Sequence, residues 1–330
     1  MAVTYWEGDT DGDWMTDTNW SGVHPAADDV AIFDGRCGAT GSEPDEGLLD
    51  SESGHVDHAT LDLLHVKDSY SQGMATAAEP CCTSPDTLII EGSGTYYFLC
   101  GVTDQSSDTT IATTIINNPD AIVYLYSNCN DGANAASYTN IYVLAGIVYL
   151  AYYSVDTADQ GTAVGNMYIA PRDNRSSNAT VTAEKDAYNV LTSTAMNVYM
   201  QNGTFTTDSQ LGTIHLHDGT LNYGTDLAAA PEADLNITFL RQTGGTFNWY
   251  PDDSGTPTIT AAWVTNGTFD ASGTTNADRA KTITTLRMFN SATVSLDNNK
   301  SNITVTNLYK HGGTLNYDSG SKAAITYNQP

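Results

Sequence analysis

Gly203-Thr204-Phe205, Gly219-Thr220-Leu221, Gly245-Thr246-Phe247, Gly267-Thr268-Phe269, Ala292-Thr293-Val294 and Gly313-Thr314-Leu315 are one short phrase that returns between Asn197 and Tyr317. Successive copies lie 16, 26, 22, 25 and 21 residues apart, so five steps cover 110 residues and average 22. A second apolar-polar run precedes each copy: Asn197-Val198-Tyr199-Met200, Thr213-Ile214-His215-Leu216, Asn236-Ile237-Thr238-Phe239, Thr258-Ile259-Thr260, Thr282-Ile283-Thr284 and Asn302-Ile303-Thr304-Val305. Leu221 and Tyr223 fall on one face of an extended chain and Thr220 and Asn222 on the other, and Phe247 with Trp249 and Ile303 with Val305 repeat the alternation. Period two marks half-buried strands, and Thr, Tyr, Phe, Val and Ile favour them. Asn-Gly and Gly-Gly pairs supply turns that need positive φ. One such unit cannot bury its apolar face alone, whereas stacked units can. The expectation is an all-β chain folded as a β-solenoid, a right-handed parallel β-helix with irregular rungs of about 22 residues. An antiparallel sandwich or barrel also spaces its strands evenly; recurrence of the phrase itself favours the solenoid.

The pattern divides the chain. Residues 1–85 read as an N-terminal cap and acidic loop region, and 86–153 as a first strand-rich stack with Leu88-Ile89-Ile90, Gly94-Thr95-Tyr96, Ile111 to Ile116, Ala121 to Tyr126 and Ile141 to Tyr153. Thr60 to Val66 reads as a first rung. Residues 154–196 break the rhythm, with a polar Arg172 to Thr180 and a weakly helical Ala183 to Met196, and form an excursion or boundary. Residues 197–330 are the regular repeats. They end on Ala324-Ile325-Thr326-Tyr327 without an obvious polar cap, an edge open to pairing with another chain.

The 330 residues carry 39 Asp plus Glu against 12 Lys plus Arg, a formal charge of -27. Such a surface disfavours nucleic acid and anionic membranes, both of which need Lys and Arg to meet phosphate. It suits a particle that repels its own kind. No run of about 18 apolar residues is present to span a bilayer, and Met1 to Trp6 shows no basic-then-apolar export signal. The five cysteines, Cys37, Cys81, Cys82, Cys100 and Cys129, all lie in the first 130 residues, so they staple none of the repeats.

Residues 1–35 contain Trp6, the Asp9-Thr10-Asp11-Gly12-Asp13-Trp14 cluster, Asn19-Trp20-Ser21-Gly22, Pro25 and Asp29-Val30-Ala31-Ile32-Phe33. This opening resembles that of bacterial autotransporter-type and extracellular β-helix repeat proteins. The resemblance implies a cap in which Trp6, Trp14 and Trp20 cover the first rung, as solenoid ends require. The repeats are similar in style to the β-helix proteins of phage virions.

Asp9, Asp11 and Asp13 space three carboxylates like the start of a calcium loop. An EF-hand would place a bidentate Glu eleven residues after the first ligand, and that position is Trp20. Two readings remain: a looser calcium site that adds Asp28 or Asp29, and a solvated acidic turn. His55, His58 and His65 with Cys81 and Cys82 lack the spacing of a structural zinc site. His215 and His217 alternate as an outward pair. Asp252-Asp253, Glu184-Asp186 and Asp104-Asp108 are carboxylate pairs of the kind glycan cleavage uses, yet no Lys/Arg cluster accompanies them, and no P-loop, nucleophile elbow or dinucleotide fingerprint is present. The expected function is therefore structural and non-catalytic: a surface protein of a tailed-bacteriophage virion, as head decoration or fibre component, assembled in the host cytoplasm. Its expected partners are copies of itself, a trimer by resemblance to such assemblies, and a capsid or other virion protein. The alternatives are a secreted, extracellular adhesin or filament subunit and a tailspike-like carbohydrate-active enzyme.

Overall fold

The structure, a computed structural model, describes residues 1–10, 12, 14, 16–37, 61–75, 81, 82, 85–100, 110–127, 137–150, 163–170, 179–183, 195–207, 211–224, 236–250, 256–272, 280–296, 302–317 and 324–328. The described residues are nearly all β, with 23 strands and two short 3-10 turns at Asp17–Asn19 and Gly35–Cys37. Every strand-to-strand pairing described is parallel, and the lone antiparallel contact is an isolated bridge between Trp6 and Trp20. The chain is a β-solenoid, and the sandwich is excluded because hairpins pair antiparallel. No helix among the described residues is long and apolar enough to cross a membrane.

Two compact units divide the chain: Met1–Asn166 with Asn178–Val181 and Asp186–Ser193, and Met167–Ser177 with Thr182–Lys185 and Thr194–Pro330. In the first unit one ladder of parallel strands runs Val3–Tyr5, Val30–Phe33, Leu63–Val66 and Thr87–Ile90. It continues into the leading halves of Thr110–Ser127 and Ser137–Leu150. A second ladder joins Cys81–Cys82 and Thr95–Cys100 to the trailing half of Thr110–Ser127, which pairs in turn with that of Ser137–Leu150. The two long strands therefore serve both ladders and bend between them, where the register slips from Ile116 to Ile122. At that bend Asn118 donates to Glu91 O at 2.6 Å and accepts from Asp120 N. Gly146 takes φ 100° beside it, where a Cβ would stand 2.6 Å from Asn118 O. Thr60 to Val66 is not the first rung. Two strands precede it, Val3–Tyr5 and Val30–Phe33, and Val3–Tyr5 is too brief to show periodicity.

Trp6, Trp14 and Trp20 are buried and meet edge-to-face, Trp6 with Trp20 at 5.1 Å and Trp14 with Trp20 at 4.7 Å. All three rest on Phe33, which touches Tyr70 in turn. The indoles close the apolar face that Val30–Phe33 would otherwise present to water; burying one large aromatic is worth roughly 1.5–3 kcal/mol.

In the second unit one ladder comprises Met196–Met200, Leu211–Leu216, Ile237–Gln242, Thr258–Val264, Ala280–Met288, Asn302–Lys310 and Ala324–Tyr327. The other comprises Thr204–Thr207, Thr220–Tyr223, Thr246–Trp249, Thr268–Asp270, Thr293–Ser295 and Thr314–Asn316. Inward columns fill the core: Phe205, Leu221, Phe247, Phe269 and Val294 stand in register and are fully buried. The recurrent glycine is the corner between the ladders. Gly219 has φ 84° and Gly267 φ 86°, and a Cβ on either would lie 2.5 or 2.4 Å from the carbonyl oxygen of the corner glycine one rung earlier. Such a contact excludes every side chain. That same oxygen accepts from the next threonine, as in Thr220 N to Gly203 O at 2.9 Å. The corner Phe289-Asn290-Ser291-Ala292 is one residue longer, and Asn290 carries the positive φ, at 45°. Ala292 can therefore stand where its counterparts are glycine. The other corners are three residues long, so unequal rung lengths arise between the end of one rung and the start of the next, where three residues separate Thr207 from Leu211 and thirteen separate Tyr223 from Ile237. Ala183 and Met196, read as the ends of a weak helix, lie in the strands Ala179–Ala183 and Met196–Met200, and residues 184–194 lie outside those described.

Candidate functional site: an aromatic and cationic stripe

The outward residues of the solenoid carry its surface chemistry, because parallel register places equivalent side chains directly above one another. In the second unit, register joins Tyr199 to His215, His215 to Arg241, Arg241 to Trp263, Trp263 to Arg287 and Arg287 to Tyr309. These residues form a stripe up one face. Tyr199 stacks on Tyr168 at 4.8 Å and on His215 at 5.2 Å. Phe239, in the adjacent outward column, meets His215 and Trp263 edge-on at 6.4 and 5.4 Å. The Arg287 guanidinium lies between two rings, 5.4 Å from Trp263 and 5.1 Å from Tyr309, a cation–π pairing that fixes its position. Its Nε is buried without a hydrogen-bond partner. Trp263 is 41% exposed, unusual for a ring of that size.

The charge on this face is the reverse of the chain's. Its seven strands contain no Asp or Glu, and among the described residues no carboxylate forms an ion pair with Arg241 or Arg287. Burial first, then the charges of Arg241 and His217, hold the His215 imidazole below its usual range. Protonating His215 thus adds a cation to a cluster with no counter-charge.

The other ladder of the unit is polar and self-satisfied. Asn248 Nδ2 donates to Asn222 Oδ1 at 2.7 Å and Asn222 Nδ2 to Thr206 Oγ1 at 3.2 Å, and the Tyr250 hydroxyl donates to Asp270 at 2.7 Å. Burial and that bond push the Tyr250 phenol up. Behind it lies Lys281, 3% exposed, whose Nζ donates to Trp249 O and Ala271 O at 3.3 and 3.1 Å. Burial lowers its ammonium to about 8. In the first unit the second ladder bears a tyrosine stack, Tyr97 on Tyr124 at 4.6 Å and Tyr124 on Tyr149 at 4.7 Å.

The residues singled out by sequence are placed as follows. Asp9 is exposed, while Asp11 and Asp13 lie outside the described residues. Asp29 accepts from Ala2 N and Ala26 N through its two oxygens, which hold it below the usual carboxylate range. Asp17 is lowered by hydrogen bonds from the backbone and imidazole of His24. Among the described residues no three His, Cys, Asp or Glu converge as a metal site. His55 and His58, and the pairs Asp252-Asp253, Glu184-Asp186 and Asp104-Asp108, lie outside the described residues. His65 bonds Glu91 at 3.0 Å, and Cys81 is buried. His215 faces outward in its strand, but His217 stands in the corner beyond it, against Thr243 at 2.9 Å, so the two are not one strand-face pair. Sequence reading passed over Arg241, Trp263, Arg287 and Tyr309. A signal was there: Tyr199, His215, Arg241, Trp263 and Tyr309 each stand four residues before their corner glycine, and Arg287 five before Ala292 in the longer corner.

Comparison with protein-family models, curated proteins and solved structures finds no match.

Proposed function

We propose that this chain is a structural, non-catalytic protein of a virion surface, a head decoration or fibre component of a tailed bacteriophage that assembles as a homotrimer with a capsid or other virion protein. What supports the reading is that outward side chains satisfy one another from rung to rung. The Tyr97–Tyr124–Tyr149 stack and the Asn222–Asn248 ladder are such cases. Pre-satisfied ladders stiffen a scaffold and leave few groups poised for chemistry. A charge of -27 suits a surface turned away from packaged DNA. The test is antibody raised against the purified chain and applied to intact particles: gold on the particle exterior is expected. Absence of the chain from particles, or new reducing ends when it is incubated with surface polysaccharide, overturns the reading. Light scattering should give the mass of three chains, and a chelator-induced loss of that mass would bring calcium at Asp9, Asp11 and Asp13 into the assembly.

A further inference from the structure

We propose that the stripe Arg241–Trp263–Arg287–Tyr309 is a docking surface for a linear acidic polysaccharide, one that alternates uronate and neutral sugars, which it binds without cleaving. Three observations converge. First, cations are concentrated where carboxylates are absent. In a chain with 39 acidic and 12 basic residues, Arg241 and Arg287 stand outward on a ladder of seven strands that hold no acid, and neither has an ion-pair partner among the described residues. Arg guanidinium is the side chain best matched to a carboxylate, through two parallel hydrogen bonds.

Second, the groups alternate in type along the stack. Arg241, Trp263 and Arg287 occupy three successive rungs in register. Parallel strands lie about 4.8 Å apart, so the two guanidinium rungs are separated by roughly 10 Å with an indole between them. An extended polysaccharide advances by a similar distance over two sugars. A uronate on each Arg thus leaves the intervening neutral sugar over Trp263, whose exposed ring offers an apolar surface for the C–H face of a pyranose. Third, Arg287 is preorganised: rings on both sides hold its guanidinium. Little rotamer entropy remains to be lost on binding.

A polysaccharide fits this face better than a peptide. Each interior strand is paired on both sides, so the face offers no free backbone edge to a peptide. Repulsion between an anionic polymer and the rest of the chain is screened within about 8 Å at physiological salt, whereas contacts at the stripe are direct.

The experiment is calorimetric titration of the full chain, at physiological salt, with hyaluronan oligosaccharides and with neutral dextran oligosaccharides of equal length. Hyaluronan should bind and dextran should not, with the hyaluronan unchanged in length afterwards. Arg241→Gln and Arg287→Gln should each weaken binding about tenfold, as should Trp263→Ala, with Trp263→Phe largely restoring it. Arg36→Gln, in the first unit, should leave it unchanged. Circular dichroism checks folding, and Arg241, being exposed, keeps the test open if Trp263→Ala disrupts the stack. Equal binding of dextran, or unchanged hyaluronan affinity in both arginine variants, overturns the proposal. So does shortening of the hyaluronan. Self-association that Arg241→Gln abolishes, without hyaluronan binding by the parent chain, assigns the face to a second copy and overturns it as well.

Discussion

The two units solve the same packing problem with different corners and different faces. In the first, the strands Thr110–Ser127 and Ser137–Leu150 run through the corner and bend at Asn117 to Asp120. In the second, a short turn separates two distinct strands on each rung, with glycine at the positive φ in every corner but the one that uses Asn290. Their outward stripes differ as well. Register in the first unit aligns Tyr5, Ile32, His65, Ile89, Ile115 and Tyr142; in the second it aligns Tyr199, His215, Arg241, Trp263, Arg287 and Tyr309. The inward columns are mostly aliphatic and aromatic in both, with Thr4 and Thr114 in the first and Thr207, Gln242 and Lys281 in the second as buried polar members. Burial dictates what faces in, and the stack leaves what faces out free to differ.

The largest expected separation of the two units comes from the core. Phe247→Ala removes a fully buried ring between Leu221 and Phe269 and should cost about 3–5 kcal/mol. Hydrogen exchange should show lost protection on neighbouring rungs of the second unit and unchanged protection at Leu64 and Leu88, because repeat stacks couple through nearest neighbours. A uniform loss across both units would show that they unfold together.

Next comes pH. Lys281 titrates at about 8 in the folded chain and near its usual value of about 10.4 when unfolded. Between these values the unfolded state holds the extra proton, so stability should rise with pH, by roughly 2–3 kcal/mol over the window. Tyr250, raised in the fold, acts oppositely once pH passes the ordinary phenol range of about 10, so denaturant melts are compared from pH 8 to 10 between the parent chain and Lys281→Met. Lys281→Met should flatten the slope; a slope that survives the substitution would place its origin elsewhere.

Corner geometry ranks third. Gly267→Ala combines φ 86° with a Cβ 2.4 Å from Gly245 O and should cost about 1–3 kcal/mol. Asn290→Gly, at the longer corner, should change stability by less than about 1 kcal/mol. Thermal melts of the pair measure how far the second unit depends on its glycine column. A small effect is expected outside: Tyr124→Ala should cost about 1 kcal/mol by removing the middle ring of its stack, with little change in the melting of the second unit.

The fold was legible because a corner that tolerates only glycine recurs beside an alternation that only a half-buried strand requires. Gly219, Gly245 and Gly267 with Leu221, Phe247 and Phe269 carry both signals. Val3–Tyr5 was not legible, since three residues hold no period, and neither was the bend in Thr110–Ser127, where Asn117-Asn118-Pro119-Asp120 reads as a break between two strands. The stripe was hidden for another reason. Its members are scattered at unequal spacing and differ in type, so no motif joins them until the strands are aligned on their corners. Asn290 shows why even that alignment needs care: one extra residue moves Arg287 out of phase with its neighbours on paper, but not in space.

Near-constant corners and unequal returns have a consequence for how such a chain can change. The corners vary by a single residue, Phe289–Ala292 being the longer one with both ladders still in register, whereas three residues separate Thr207 from Leu211 and thirteen separate Tyr223 from Ile237 with the ladders intact. Insertions, epitopes or whole grafted modules therefore have one permitted edge. A peptide placed between Tyr223 and Ile237 would alter what a rung displays without moving the rungs above and below it.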